Sequence, residues 1–150
     1  MNTSRLLLAI AAFLIGFSSM AQDVVYVDAS VFPVYGKISD ETNERYERLP
    51  ARLEGVSRKA VWTRGRHSSG LYIRFRSNST SIHVKWESLF NNHYNHMTDI
   101  CTKGLDLYAL VDGKWRFVAP GRPSADGVST YTLARNMTPV NREFMLYLSM

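Results

Sequence analysis

Four places in the chain carry residue types that could do chemistry. His67-Ser68-Ser69-Gly70 sets a histidine beside two serines. A serine nucleophile needs a base within hydrogen-bond reach and an oxyanion hole, commonly on a sharp strand-to-helix turn. Neighbours on a chain seldom face each other, so this segment reads as a hydroxyl-rich turn before a strand. His93 and His96, followed by Asp99 and Cys101, would make a metal pair on a helix. Asn91, Asn92, Asn95 and Thr98 argue for a loop instead, and no companion ligand pair is evident, so neither metal nor cofactor is expected. The same polar run, Asn91 to Asp99, gains little for folding on a solvated surface, and functional side chains concentrate on loops held by rigid scaffolds. Asn95 and His96 are therefore candidates for orienting the polar part of a substrate. Trp62, Trp86 and Trp115 are the residues of a possible sugar-stacking platform. Trp86 and Trp115 share the parity of the apolar residues in their segments, which predicts core packing. None of these places supplies a catalytic set.

The elements that must position these residues are strands. Leu71, Ile73 and Phe75 alternate with Tyr72, Arg74 and Arg76; Ile82, Val84 and Trp86 alternate with His83, Lys85 and Glu87. Each run predicts a strand with one buried face. Ser77-Asn78-Ser79-Thr80 between them is turn chemistry and predicts a hairpin. Leu105–Val111 and Trp115–Ala119 flank Asp112-Gly113, the pair best able to adopt positive φ, which predicts a second hairpin. Ala60–Trp62, Ser129–Leu133 and Phe144–Leu148 bring the strands to about seven, with no long helical period after Pro50. The expectation is an all-β fold: an antiparallel, jelly-roll-like β-sandwich. Phe144–Leu148 has no closing turn or polar tail after it, so it is expected at an exposed sheet edge, with the sandwich truncated there. Val24–Val27 reads as one more short strand, and Ser39-Asp40-Glu41-Thr42 resembles a helix start with little to sustain it.

The beginning of the chain has a different character. Arg5, the apolar run Leu6 to Phe17 and the small residues Ser19 and Ala21 form a signal peptide over 1–21, followed by a lead-in at 22–45 and the sandwich at 46–150. The apolar run is shorter than the roughly 20 residues a membrane helix needs. An exported protein, periplasmic or extracellular, with no membrane segment after cleavage is the expectation. Without Arg5 the chain holds 17 Lys+Arg against 13 Asp+Glu, a formal charge of +4. The basic residues alternate along strands rather than cluster, which excludes a nucleic-acid-binding surface. A single cysteine, Cys101, makes no internal disulfide, so the core alone must hold the domain.

Gly104-Leu105-Asp106-Leu107-Tyr108 matches a G-x-D-L-Y motif. With Arg48-Leu49-Pro50-Ala51, Ser69-Gly70-Leu71, Asn95-His96-Met97, Lys114-Trp115-Arg116-Phe117 and Asn136-Met137-Thr138-Pro139, it resembles the N-terminal domain of exported bacterial SGNH/GDSL-type esterases, from about Tyr46 onward. The resemblance implies a two-part esterase whose C-terminal hydrolase domain carries the Ser-Asp-His machinery, and none of those blocks lies in this chain. It implies an accessory, non-catalytic role here, with acylated carbohydrate as the substrate class. In that setting Asp106 and Tyr108 join Asn95 and His96 as substrate-binding candidates, although Asp106 also suits a structural ion pair. A free-standing carbohydrate-binding module is the alternative.

Overall fold

The computed structural model describes residues 23–149, so the expected signal peptide at 1–21 lies outside the described residues. Alternation of apolar and polar residues yields most of the strands. Val34–Tyr35 (β1), Tyr72–Ser77 (β2), Leu105–Val111 (β4), Lys114–Gly121 (β5) and Arg142–Leu148 (β7) form one antiparallel sheet in the order β1-β2-β7-β4-β5. Ile82–Glu87 (β3) and Val128–Ala134 (β6) pair as a second, smaller sheet. Ile73, Leu105, Leu107, Phe144 and Leu146 of the large sheet meet Ile82 and Leu133 of the small one in a single core. The fold is the expected all-β antiparallel sandwich.

Several local expectations fail for identifiable reasons. Ala60–Trp62 is not a strand: it lies inside a short helix, Lys59–Gly65 (α1). Three apolar residues are too few to set a period, and the helix is held by partners distant in sequence. Arg48 donates from Nε to His67 O at 2.9 Å and from a guanidinium nitrogen to Arg64 O at 2.7 Å, while its backbone N–H takes Gly65 O at 3.0 Å. Basic side chains serve the last carbonyls of helices in this way. A strand that sequence alternation does not reveal, β1, pairs with β2 at one edge of the large sheet. Val24–Val27 forms no strand and is largely exposed. Ser39–Thr42 starts no helix; Asp99–Lys103 (α2), too short for a visible period, does form one.

The β2–β3 hairpin is absent. Residues 78–81 carry the chain from one sheet to the other, and β2 pairs instead with β7, matching Phe75 to Phe144 and Arg76 to Glu143. Two strands with one apolar face each can share a core from facing sheets as well as from one, and turn residues do not separate these cases. Strand β7 is correspondingly not an edge. It lies in the middle of the large sheet, bonded to β2 on one side and β4 on the other. The β4–β5 hairpin forms as expected, with Asp112 at φ 51° and Gly113 at φ 71°. A bulge at Leu107/Tyr108 then breaks the parity of β5. Ala119 faces the core, whereas Trp115 and Phe117 lie opposite Leu110 and Tyr108 on the outer face. Core packing thus holds for Trp86, which packs against the core cluster, and fails for Trp115. Among the described residues no helix is long and apolar enough to cross a membrane.

Candidate functional site

The G-x-D-L-Y segment gives each of its residues a separate position. A Cβ on Gly104 would lie 2.3 Å from Ile100 O and 2.7 Å from Gly121 O, so only glycine lets the end of α2 pass this close to the end of β5. Leu105 and Leu107 enter the core. Tyr108 packs edge-on against Phe117 and Tyr147. Asp106 is exposed on the outer face, and among the described residues no hydrogen bond or ion pair ties it down. It is the motif residue that folding does not explain; the ion pair with a nearby arginine does not form.

Asn95 and His96 lie elsewhere, exposed on the loop between β3 and α2, with His96 Nδ1 3.0 Å from Asn95 Oδ1. The structure therefore divides the four candidates between a loop (Asn95, His96) and the outer sheet face (Asp106, Tyr108). His93 does not join His96. Its Nδ1 is 3.0 Å from Asp99 Oδ1, and among the described residues no three His, Cys, Asp or Glu side chains gather as a metal would require. His67 stacks on Phe90 at 4.8 Å while Ser68 Oγ donates to Ser149 O at 2.6 Å, so this histidine and serine bond to different groups.

Lys103 organises the base of the loop, and sequence reasoning missed it. Its side chain is 5% exposed; Nζ donates to Asn91 Oδ1 at 2.8 Å and sits 3.2 Å from Asp99 Oδ2. Desolvation works against the Asp99 charge, but Lys103 and His93 outweigh it and hold that carboxyl below its ordinary value. Trp86 closes the arrangement by donating its indole N–H to Lys103 O at 2.8 Å. A buried lysine two residues before a strand leaves little pattern in sequence, because α2 is too short to announce the Asp99–Lys103 pair at i, i+4 and the other partner, Asn91, lies on the loop twelve positions earlier.

Beside the loop lies a groove of about 490 Å³, lined by Asn92 and Tyr94 of the loop, Lys59, Thr63 and Arg64 of α1, and His67 and Phe90. Burial first, then the nearby Arg48 and Arg64 guanidinium groups, pushes the His67 imidazole below its usual pKa and favours the neutral ring. Its Nδ1 is buried with no hydrogen-bond partner among the described residues. Such an orphan is costly unless something satisfies it. A larger cleft of about 1190 Å³ opens between the sheets, floored by Phe75, Val84, Trp86 and Leu148, and contains none of the four candidates.

The family model described as the GxDLY N-terminus of SGNH-hydrolase-type esterases matches residues 24–150. The chain belongs to this family. A solved structure from Bacteroides ovatus, described as a GDSL-like lipase, is similar at 32% identity and a TM-score of 0.79. The match covers 85% of this chain and 37% of that protein, so the chain spans little more than a third of its solved relative. No curated protein matches it.

Proposed function

We propose that this GxDLY domain is the substrate-positioning, non-catalytic N-terminal part of an exported SGNH/GDSL-type carboxylic-ester hydrolase acting on acylated carbohydrate. Its partner is a C-terminal hydrolase domain of the same protein. The observation that carries this reading is the link between the polar loop and the end of β7. Ser149 donates through Oγ to Gly104 O, and the adjacent Lys103 binds Asn91 and Asp99 at the base of the loop. A domain that follows β7 therefore starts beside Asn91–Asp99 and the groove that His67 helps to line. Exposed Asn95 and His96, fixed against each other rather than into the fold, suit hydrogen bonding to hydroxyls of a substrate. The groove's Lys59 and Arg64 add cationic donors without a carboxylate among its lining residues.

The alternative, a free-standing sugar-binding module, draws less support from the tryptophans. Trp86 packs on the core and the Trp115 ring has the Arg74 guanidinium 5.4 Å from its centroid, so neither is an open platform. The direct experiment is an ester-hydrolysis assay on the 150-residue chain with p-nitrophenyl acetate. The expected rate equals that of buffer. Turnover abolished by Ser68→Ala or Ser69→Ala would make the His67 region a catalytic site and overturn the accessory role.

A further inference from the structure

The outer face of the five-stranded sheet ought to be its wettest surface. Antiparallel sandwiches usually alternate apolar residues inward with polar residues outward. Here five aromatic rings cross all five strands on the outward side. Tyr35 stacks on Tyr72 at 5.3 Å, Tyr72 meets Tyr147 at 5.0 Å, Tyr147 meets Tyr108 at 5.7 Å, and Tyr108 meets Phe117 at 5.5 Å. Met145, opposite Arg74 and Tyr108 in register, is only 8% exposed although it points away from the core residues Phe144 and Leu146. The Arg74 guanidinium spans the face between the rings of Tyr35 (5.9 Å) and Trp115 (5.4 Å), tied to Glu143. Tyr, Phe, Trp, Met and Arg are the residues enriched in protein interfaces, and among the described residues that these strands turn outward there is no lysine, a residue depleted in interfaces.

We infer that this aromatic face is the docking surface for the part of the protein that follows β7, the hydrolase domain; the inference rests on the accessory-domain reading above. The arrangement of the rings decides against a sugar. A stacking platform needs a run of open, parallel ring faces, whereas these rings lean on one another at successive strands, with interplanar angles of 16°, 40°, 74° and 68° along the row. The path of the chain supplies the occupant. Tyr147 lies two residues before Ser149, in the row Tyr35–Tyr72–Tyr147–Asp106. A chain continuing from β7 therefore leaves the centre of the sheet at the rim of the aromatic face. The solved relative is long enough for that continuation to be a whole domain, since this chain matches 37% of it. Asp106 then acquires a role. Arg74 and Arg76 share Glu143, so Asp106 is the carboxylate on this face without a partner among the described residues, and its partner is a donor on the docked domain.

Cysteine accessibility in the complete protein tests this. In a Cys101→Ser background, single substitutions Phe117→Cys, Asp106→Cys and Thr130→Cys are reacted with a maleimide under native conditions. All three positions are exposed in this domain, Thr130 on the small sheet. Docking predicts labelling at Phe117→Cys and Asp106→Cys at least tenfold slower than at Thr130→Cys, with the difference vanishing in denaturant. Equal rates at the three sites, or slow labelling at Thr130→Cys alone, would overturn the inference. Slowing that appears only when an oligosaccharide is added would assign the face to sugar and overturn it as well. The two readings fail separately: a protein with ester-hydrolase activity but freely labelled Phe117→Cys loses only the docking surface. One with a protected face and no hydrolase activity loses the proposed function.

Discussion

Replacing Gly104 by alanine places a methyl group where two backbone carbonyls already stand. Its carbon would lie 2.3 Å from Ile100 O and 2.7 Å from Gly121 O. An ordinary carbon–oxygen contact is about 3.3 Å, so the end of α2 must retreat by about 1 Å and the end of β5 by about 0.6 Å. Neither retreat is free. The Gly104 N–H bonds Ile100 O at 3.1 Å, and Leu105 pairs with Gly121 across β4 and β5. Overpacking costs about 1–3 kcal/mol, and weakening one backbone hydrogen bond adds about 1 kcal/mol, giving about 3 kcal/mol in all. For a chain of this size 1 kcal/mol shifts Tm by roughly 3–5 °C, so Gly104→Ala should lower Tm by about 9–15 °C. Gly113→Ala is the control. Gly113 has φ 71° and nothing within 4 Å of its Cβ position, so only the left-handed backbone penalty of about 1–2 kcal/mol applies. Thermal denaturation followed by circular dichroism measures both. A Gly104→Ala protein that melts within about 2 °C of the parent, or no lower than Gly113→Ala, refutes the close-approach argument.

Arg66→Met should destabilise the domain by about 2–4 kcal/mol in urea denaturation, because Glu47, only 2% exposed, loses the guanidinium 2.5 Å from its Oε1. The double variant with Glu47→Gln should regain part of that loss; strictly additive effects would contradict it. His67 is held below its usual value of 6.5, so its contribution is complete above that pH and is lost as pH falls, when the unfolded chain binds a proton that the folded one resists. Unfolding free energy should therefore decline from pH 6.5 toward about pH 5, and His67→Gln should flatten that decline; identical slopes would remove His67 from the account.

How much of this was legible in the sequence depends on how local the cause is. Leu71–Phe75, Ile82–Trp86 and Leu105–Val111 announce themselves by alternation, and Asp112-Gly113 by its tolerance of positive φ. The β2–β7 pairing was not legible, because it depends on Arg74, Phe75 and Arg76 finding Glu143 and Phe144 some seventy positions away. The helix at Lys59–Gly65 hides for the same reason, being held by Arg48. Trp115 misleads because a bulged residue in β5 inverts the parity that places side chains inside or out. In the candidate site, the polar loop could be read from composition, as could the Asn95–His96 pair. The Lys103 anchor, the unpartnered His67 nitrogen and the row of rings from Tyr35 to Phe117 exist only once strands and loops distant in sequence are brought together.

The central claim, that this domain holds substrate for chemistry done elsewhere, is tested most directly by Asn95→Ala and His96→Ala in the complete protein. Both residues are exposed and bond to each other rather than to the core, so Tm should stay within about 1–2 °C of the parent. Loss of one neutral hydrogen bond to substrate, about 0.5–1.5 kcal/mol, predicts kcat/KM lower by roughly two- to twelvefold in each variant. The contradicting result is full kcat/KM in both variants together with melting several degrees lower, which would make the loop a structural element and leave the domain without a part in substrate positioning.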